Sequence, residues 1–324
     1  MTHRRVAVLS GGWGEEQAIS VKTGEAIAAA LERRGHAVTR ITAGPGLDVA
    51  LRQAGAEVAF LALHGRMGED GRVQGLLEVM GIPYTGSGVL ASAVAMHKGM
   101  AKRLFRQHNL ATPAGYSVAL ADLDRVEELH CDLGFPCVVK PASGGSSVGL
   151  ALVHSLEALR PAVAEACRYG GEALVERYVK GREVTVAVLD GEVLGSCEVS
   201  HGHATFDWAA KYEGGSRYHL PPRLSATRVA NLEAMAATAA RALGCRGAVR
   251  VDFLCPEVGN EVLLEVNTLP GMTSTSLLPR IAKARGLDFD SLCERLLASA
   301  TLDGADVLPP AVVTPRVEPV RQVG

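Results

Sequence analysis

The chain is 324 residues long, 48% hydrophobic and 21% charged, with 33 Lys+Arg against 35 Asp+Glu. That length passes the ~250 residues at which a single core stops growing, so two or three packed subdomains are expected, and the apolar content excludes disorder. A net charge of -2 offers nothing to recruit nucleic acid or an anionic membrane, and no run approaches the ~20 apolar residues of a membrane span.

In chain order, residues 5–10 read as a buried strand, and Gly11-Gly12-Trp13-Gly14 as a turn into a helix over 16–34, closed by Gly35. The apolar run before that turn is too short for a signal peptide. Strands at 37–42 and 57–63 alternate with helical patterns, which predicts βα units and a parallel sheet. The run His64-Gly-Arg-Met-Gly-Glu-Asp-Gly71 falls at the carboxyl edge of that sheet, as does the loop at 11–16. Glu16 and His64 can therefore share one ligand crevice, although a lone His at a strand end is more often structural. One long helix is predicted over 89–107, ended by Asn109 and Pro113.

The middle region carries strand patterns at 136–140, 149–153 and 172–176 and a helix at 155–169. The loop at 142–147 contains only small residues and follows Lys140. It is not a Walker A loop, since no Gly-Lys-Ser/Thr follows, yet its amides can cover phosphates; a plain connection is the alternative. The last region reads as strands at 183–190, 192–199, 247–255 and 261–267 with a helix at 225–242. The loop at 202–222 is long enough to suspect function, and 303–324 read as a loose tail. Seven scattered cysteines, an odd number with no C-x-x-C, point to reduced thiols and a cytoplasmic protein.

The strongest local signal is a hairpin turning at Pro256–Asn260. A turn centred between Val258 and Gly259 sets Asp252 opposite Glu265 and Arg250 opposite Asn267, all four on one face. Two carboxylates paired across strands repel by ~3 kcal/mol at roughly 5 Å and an effective dielectric of about 20. A divalent cation reverses that sign, and carboxylates with an amide oxygen suit magnesium; a solvated polar face with Arg250 as ion-pair partner is the other reading. After Asn267 comes a Gly- and hydroxyl-rich turn entering a helix near Ser276, where free N–H groups suit an anion, or where Ser276 is simply an N-cap.

Taken together, the segments His64–Gly71, Tyr84-Thr-Gly-Ser-Gly88, Ser146-Ser-Val-Gly149, Lys211-Tyr212 and Glu265-Val-Asn-Thr-Leu-Pro-Gly-Met-Thr273 resemble the D-alanine–D-alanine ligases of the ATP-grasp superfamily. The resemblance runs from Val6 to about Leu297. It implies an α/β and α+β chain: an ATP-grasp fold with an N-terminal parallel-sheet, Rossmann-like subdomain. The implied division is 1–97 for the N-terminal substrate domain, 98–182 and 183–302 for the two ATP-grasp subdomains, and 303–324 for the tail. The implied reaction joins two D-alanines through an acyl phosphate, with ATP and two Mg2+ ions (Mn2+ able to substitute), in a homodimer that makes peptidoglycan precursor.

By the same resemblance Lys98, Lys140, Ser147 and Lys211 meet the ATP phosphates, Glu176 the adenine and Glu183 the ribose. Asp252, Glu265 and Asn267 match the metal ligands, and Arg250 and the Gly271 amide the oxyanion stabilisers. Glu16 and His64 match the residues beside the first D-alanine. Ser146 and Tyr212 match the partners that close loops over the site, and Ser276 with the Leu277 amide the cradle for the second carboxylate. The chain departs from the family pattern at Gly14, Ala18, Ile19, His97, Ser143-Gly144 and Tyr178, none of which removes a catalytic group. D-Lactate or D-serine as second substrate, or a non-catalytic nucleotide-binding homologue, are the competing readings. Tyr212 argues against D-lactate, and the intact Lys211, Arg250 and metal-ligand set against a mere binder.

Overall fold

The computed structural model describes residues 3–13, 16–145, 148–200 and 217–304. The chain opens with a parallel sheet of order β2-β1-β3, formed by β1 (Arg5–Gly11), β2 (Ala37–Ala43) and β3 (Val58–Leu61). Helices α1 (Gln17–Arg33), α2 (Leu47–Ala54) and α3 (Arg72–Met80) connect and follow these strands. Parallel pairing forces such crossovers and buries the sheet on both faces. Val6, Val8 and Phe60 pack one face and Ala7, Leu9 and Leu61 the other, each at most 4% exposed.

The expected helix over 89–107 is instead two, α4 (Val89–Met96) and α5 (Lys98–Gln107). His97 leaves the helical region (φ -92°, ψ 90°) and bridges Ser143, while the Lys98 N–H donates to Ala142 O at 2.8 Å. Pairing with the glycine-rich loop has won over helical continuity. His97 then caps the second helix: its Nδ1 accepts from the Met100 N–H at 3.3 Å, and its Nε2 faces Glu172 at 3.3 Å. His97 thus serves as the N-cap of α5 through a ring nitrogen.

The middle sheet has order β4-β7-β5-β6, built from β4 (Gly115–Ala119), β5 (Cys137–Pro141), β6 (Ala151–Val153) and β7 (Glu172–Arg177). The short helix α6 (Val126–His130) and the longer α7 (Leu156–Cys167) accompany it, and α7 packs its Leu159 and Val163 on it. Strand β4, unforeseen in the sequence, is five residues long. The third sheet has order β10-β9-β8-β11-β12, with β8 (Arg182–Leu189), β9 (Glu192–Ser200), β10 (Arg217–His219), β11 (Ala248–Cys255) and β12 (Val262–Asn267). Helix α8 (Ala226–Ala242) covers one face through Leu232, Ala236 and Ala239, and α9 (Leu277–Ala284) with α10 (Phe289–Ala298) packs against α1 and β9 on the other. No helix among the described residues is long and apolar enough to cross a membrane.

Candidate functional site

The hairpin register at the site is the expected one: Arg250 pairs with Asn267 and Asp252 with Glu265. It is reached differently, because nearer the turn Phe253 pairs with Leu263 and a bulge at Leu264 restores the register before Glu265. Asp252 is 5% exposed. Its Oδ1 accepts from Thr185 Oγ1 at 2.7 Å and Arg250 Nε at 3.0 Å, and its Oδ2 from Arg250 Nη2 at 2.9 Å and Asn267 Nδ2 at 3.1 Å. Glu265 Oε2 lies 3.0 Å from Lys98 Nζ, which also donates to the Gly144 carbonyl. Each carboxylate thus has a cation of its own, and the repulsion expected between them is met by Arg250 and Lys98. Burial works against the Arg250 charge, yet Asp252 holds its pKa above the ordinary value. Among the described residues no three His, Cys, Asp or Glu side chains gather as a metal cage. The donor set fits a hard ion held by two carboxylates and the Asn267 amide, with other positions filled by ligand oxygens.

This face floors a cavity of about 410 Å3. Its N-terminal wall brings Glu16 and His64 together, as the shared sheet edge implied. His64 Nε2 sits 3.3 Å from Thr23 Oγ1, and burial lowers its pKa to about 4 against a hydrogen bond with the Leu269 backbone. The ring is therefore neutral near pH 7. Glu69 joins this wall, a residue the sequence reading passed over. It is 7% exposed, its Oε2 accepts from the Gly65 N–H at 2.6 Å, and burial, then Glu16, push its pKa up to about 8. A Cβ on Gly145 would lie 3.4 Å from a Glu16 oxygen and 3.5 Å from a Glu69 oxygen, so the glycine-rich loop closes on both acids. At Gly65 (φ +67°) a Cβ would fall 2.4 Å from Glu16 Oε2, which is why glycine stands there.

The opposite wall carries Gly271, Ser276 and Leu277. Ser276 occupies the N-cap position of α9, but its hydroxyl makes no cap bond to the helix. It accepts from the Thr273 N–H at 3.1 Å and lies 2.8 Å from Thr273 Oγ1. No side chain caps the first turn of α9, and Ser276, Leu277 and Leu278 line the cavity, in keeping with an anion cradle.

Lys98 lines a narrower extension that shares Glu69, Gly145, Glu265 and Asn267 with the main cavity. Lys140 and Glu176 line a separate apolar cavity with Pro113, Val138, Leu150 and Tyr178. There Glu176 Oε2 is paired with Lys140 Nζ at 2.7 Å and Oε1 with Lys102 Nζ at 2.6 Å. Glu183 falls on the main cavity instead. Ser146, Ser147, Lys211 and Tyr212 lie outside the described residues. Lys102 and Thr185 were also missed by sequence reasoning. Thr185 could have been found by pairing β8 with β11, and Lys102 lies one helical turn after Lys98 on α5, a spacing that the expected helix over 89–107 already contained.

A parallel α/β unit set beside two α+β sheets, with lysines and an acidic, oxygen-rich sheet face between them, defines an ATP-grasp ligase. The family models described as D-ala D-ala ligase C-terminus and N-terminus match residues 111–298 and 44–87. A D-alanine–D-alanine ligase of Anaeromyxobacter dehalogenans (strain 2CP-C) is 50% identical over 93% of this chain and 98% of its own length. That of Geobacter sulfurreducens is 47% identical over 92% of this chain and 94% of its own. The crystal structure of the Bacillus anthracis D-alanine–D-alanine ligase complexed with ATP superposes with a TM-score of 0.80 at 32% identity, covering 92% of this chain and 97% of that one. The VanG D-Ala:D-Ser ligase of Enterococcus faecalis gives 0.81 at 27% identity, over 92% and 99%. The chain belongs to the D-alanine–D-alanine ligase family.

Proposed function

We propose that this chain condenses two D-alanine molecules into D-alanyl-D-alanine for peptidoglycan precursor synthesis, with ATP converted to ADP and phosphate. The observation that carries it is one cavity walled by Glu16 and His64, floored by Arg250, Asp252, Glu265 and Asn267, and closed by the Ser276 helix end. The γ-phosphoryl passes to the first D-alanine carboxylate, and the amine of the second displaces phosphate from the acyl phosphate. Such a transfer needs positioning and charge neutralisation more than covalent help. Lys98 and Lys140 supply cations from the nucleotide side, and Asp252, Glu265 and Asn267 would hold Mg2+, or Mn2+ in its place, which neutralises the phosphate oxygens when bound. Arg250 and the Gly271 amide face the tetrahedral oxyanion. Neutral His64 and Glu16 hold the first substrate, and the Ser276–Leu277 amides the carboxylate of the second. Ser146, Ser147, Lys211 and Tyr212 are assigned to the closing loops and phosphates by family resemblance alone.

We further read the chain as a cytoplasmic homodimer divided at 1–97, 98–182 and 183–302, with a tail from 303. Arg246 holds Asp303, at the start of that tail, at 2.7 Å. The test is phosphate release with ATP, magnesium and D-alanine alone, then with D-serine or D-lactate added. Turnover with D-alanine alone is expected, and its absence would sink the proposal. Asp252→Asn is expected to lower kcat about a hundredfold or more with the circular dichroism unchanged; wild-type activity would remove Asp252 from the metal centre.

A further inference from the structure

Glu176 is 3% exposed, and each of its oxygens faces its own ammonium group, Lys102 at 2.6 Å and Lys140 at 2.7 Å. One carboxylate cannot neutralise two buried cations. As structure alone the arrangement is wasteful, since apolar side chains of similar volume would fill the space at no desolvation cost. The surplus charge makes sense if one of the two lysines also serves an anion. Lys140, at the end of β5 with its side chain 12% exposed, lines the apolar cavity; Lys102, on α5, has a side chain only 2% exposed. Lys140 is therefore the one able to turn outward.

We propose that Lys102 is a positioning residue for nucleotide binding: it keeps the Glu176 carboxylate charged and fixed at the cavity wall while Lys140 turns from Glu176 to the phosphates. This rests on the ATP-dependent reading given above. Without Lys102, the departure of Lys140 would strand a buried carboxylate, which must then take up a proton or keep Lys140 for itself. Either outcome weakens nucleotide binding and leaves the amino-acid subsites alone. Gly115, paired with Glu176 across the strands, leaves room for the carboxylate's stem: a Cβ there would lie 3.0 Å from Glu176 Cγ. Burial lowers the Lys102 pKa to about 8 against the pull of Glu176, so the holding charge fades in mildly alkaline solution.

The experiment measures KM for ATP and for D-alanine, and kcat, in wild type, Lys102→Met, Lys102→Arg, Glu176→Gln and the double variant. Lys102→Met should raise the ATP KM about tenfold or more, with kcat and the D-alanine KM within about threefold of wild type, and Lys102→Arg should recover most of the loss. In the Glu176→Gln background the same change should alter the ATP KM by less than about threefold, because the charge to be held is gone. The wild-type ATP KM should rise above pH 8. An unchanged ATP KM in Lys102→Met, or equal rises for both substrates, would overturn the assignment. If Lys102→Met does not fold, the double variant against Glu176→Gln decides, and a further tenfold rise there overturns it. Absence of ATP-dependent ligation in wild type would instead defeat the underlying functional reading.

Discussion

At the scale of single residues, the site depends on which side chains keep their protons. Glu69 has the opposite habit to a surface acid: burial and the nearby Glu16 hold its pKa at about 8, above the ordinary value of 4.5. Below pH 4.5 folded and unfolded chains both carry the proton. As pH rises, the unfolded chain releases it first, so the Glu69 contribution to stability falls from about pH 4.5 until pH 8 and then levels off. The slope is at most about 1.4 kcal/mol per pH unit. Glu69→Gln cannot titrate and can still accept the Gly65 N–H. Denaturant unfolding of both proteins from pH 5 to 8.5 should show the variant gaining on wild type across this window; a constant difference would mean that Glu69 ionises normally.

At the scale of elements, the break at His97 decides where Lys98 goes. Removing the cap with His97→Ala should cost about 1 kcal/mol in denaturant unfolding. His97→Asp should lose less, because its carboxylate can accept the same Met100 N–H. The break was not legible in the sequence, since the cause is long-range: Lys98 N–H bonds to Ala142 and His97 bridges Ser143. Strand β4 was hidden for a similar reason, because its five residues are held by pairing with β7 rather than by their own pattern. What could be read was the periodic material: the parallel strands, the α1 span, and the face shared by Arg250, Asp252, Glu265 and Asn267. Even that register needed the Leu264 bulge, since an unbroken ladder from the Phe253–Leu263 pair would set Leu264 opposite Asp252. The convergence of Glu16 and His64 followed from sheet topology. The partners of Glu176 did not, because Lys102 comes from a helix that only folding brings alongside.

At the scale of the whole molecule, the N-terminal sheet is tied to the rest of the chain by Arg246. Its Nε donates to Gly86 O at 2.9 Å and its Nη2 to Thr301 O at 3.1 Å, Nη1 pairs with Asp303 at 2.7 Å, and the guanidinium stacks 4.9 Å over Tyr84. Asp303 also accepts from the Val89 N–H at 3.0 Å, and the Tyr84 backbone bridges Thr301. Arg246→Ala should lower stability by about 2–3 kcal/mol, read by denaturant unfolding, because it leaves several acceptors unpaired at one junction. A loss under ~0.5 kcal/mol would show that the knot is ornamental. The ribosome delivers the N-terminal sheet first, yet Gly86 meets Arg246 only 160 residues later and Val89 meets Asp303 only 214 residues later. The His64 ring, leaning on the Leu269 backbone, waits almost as long. A nascent chain therefore carries half a crevice with open backbone groups, exposed to chaperones and to wrong partners, and the amino-acid wall of the site is completed late in synthesis.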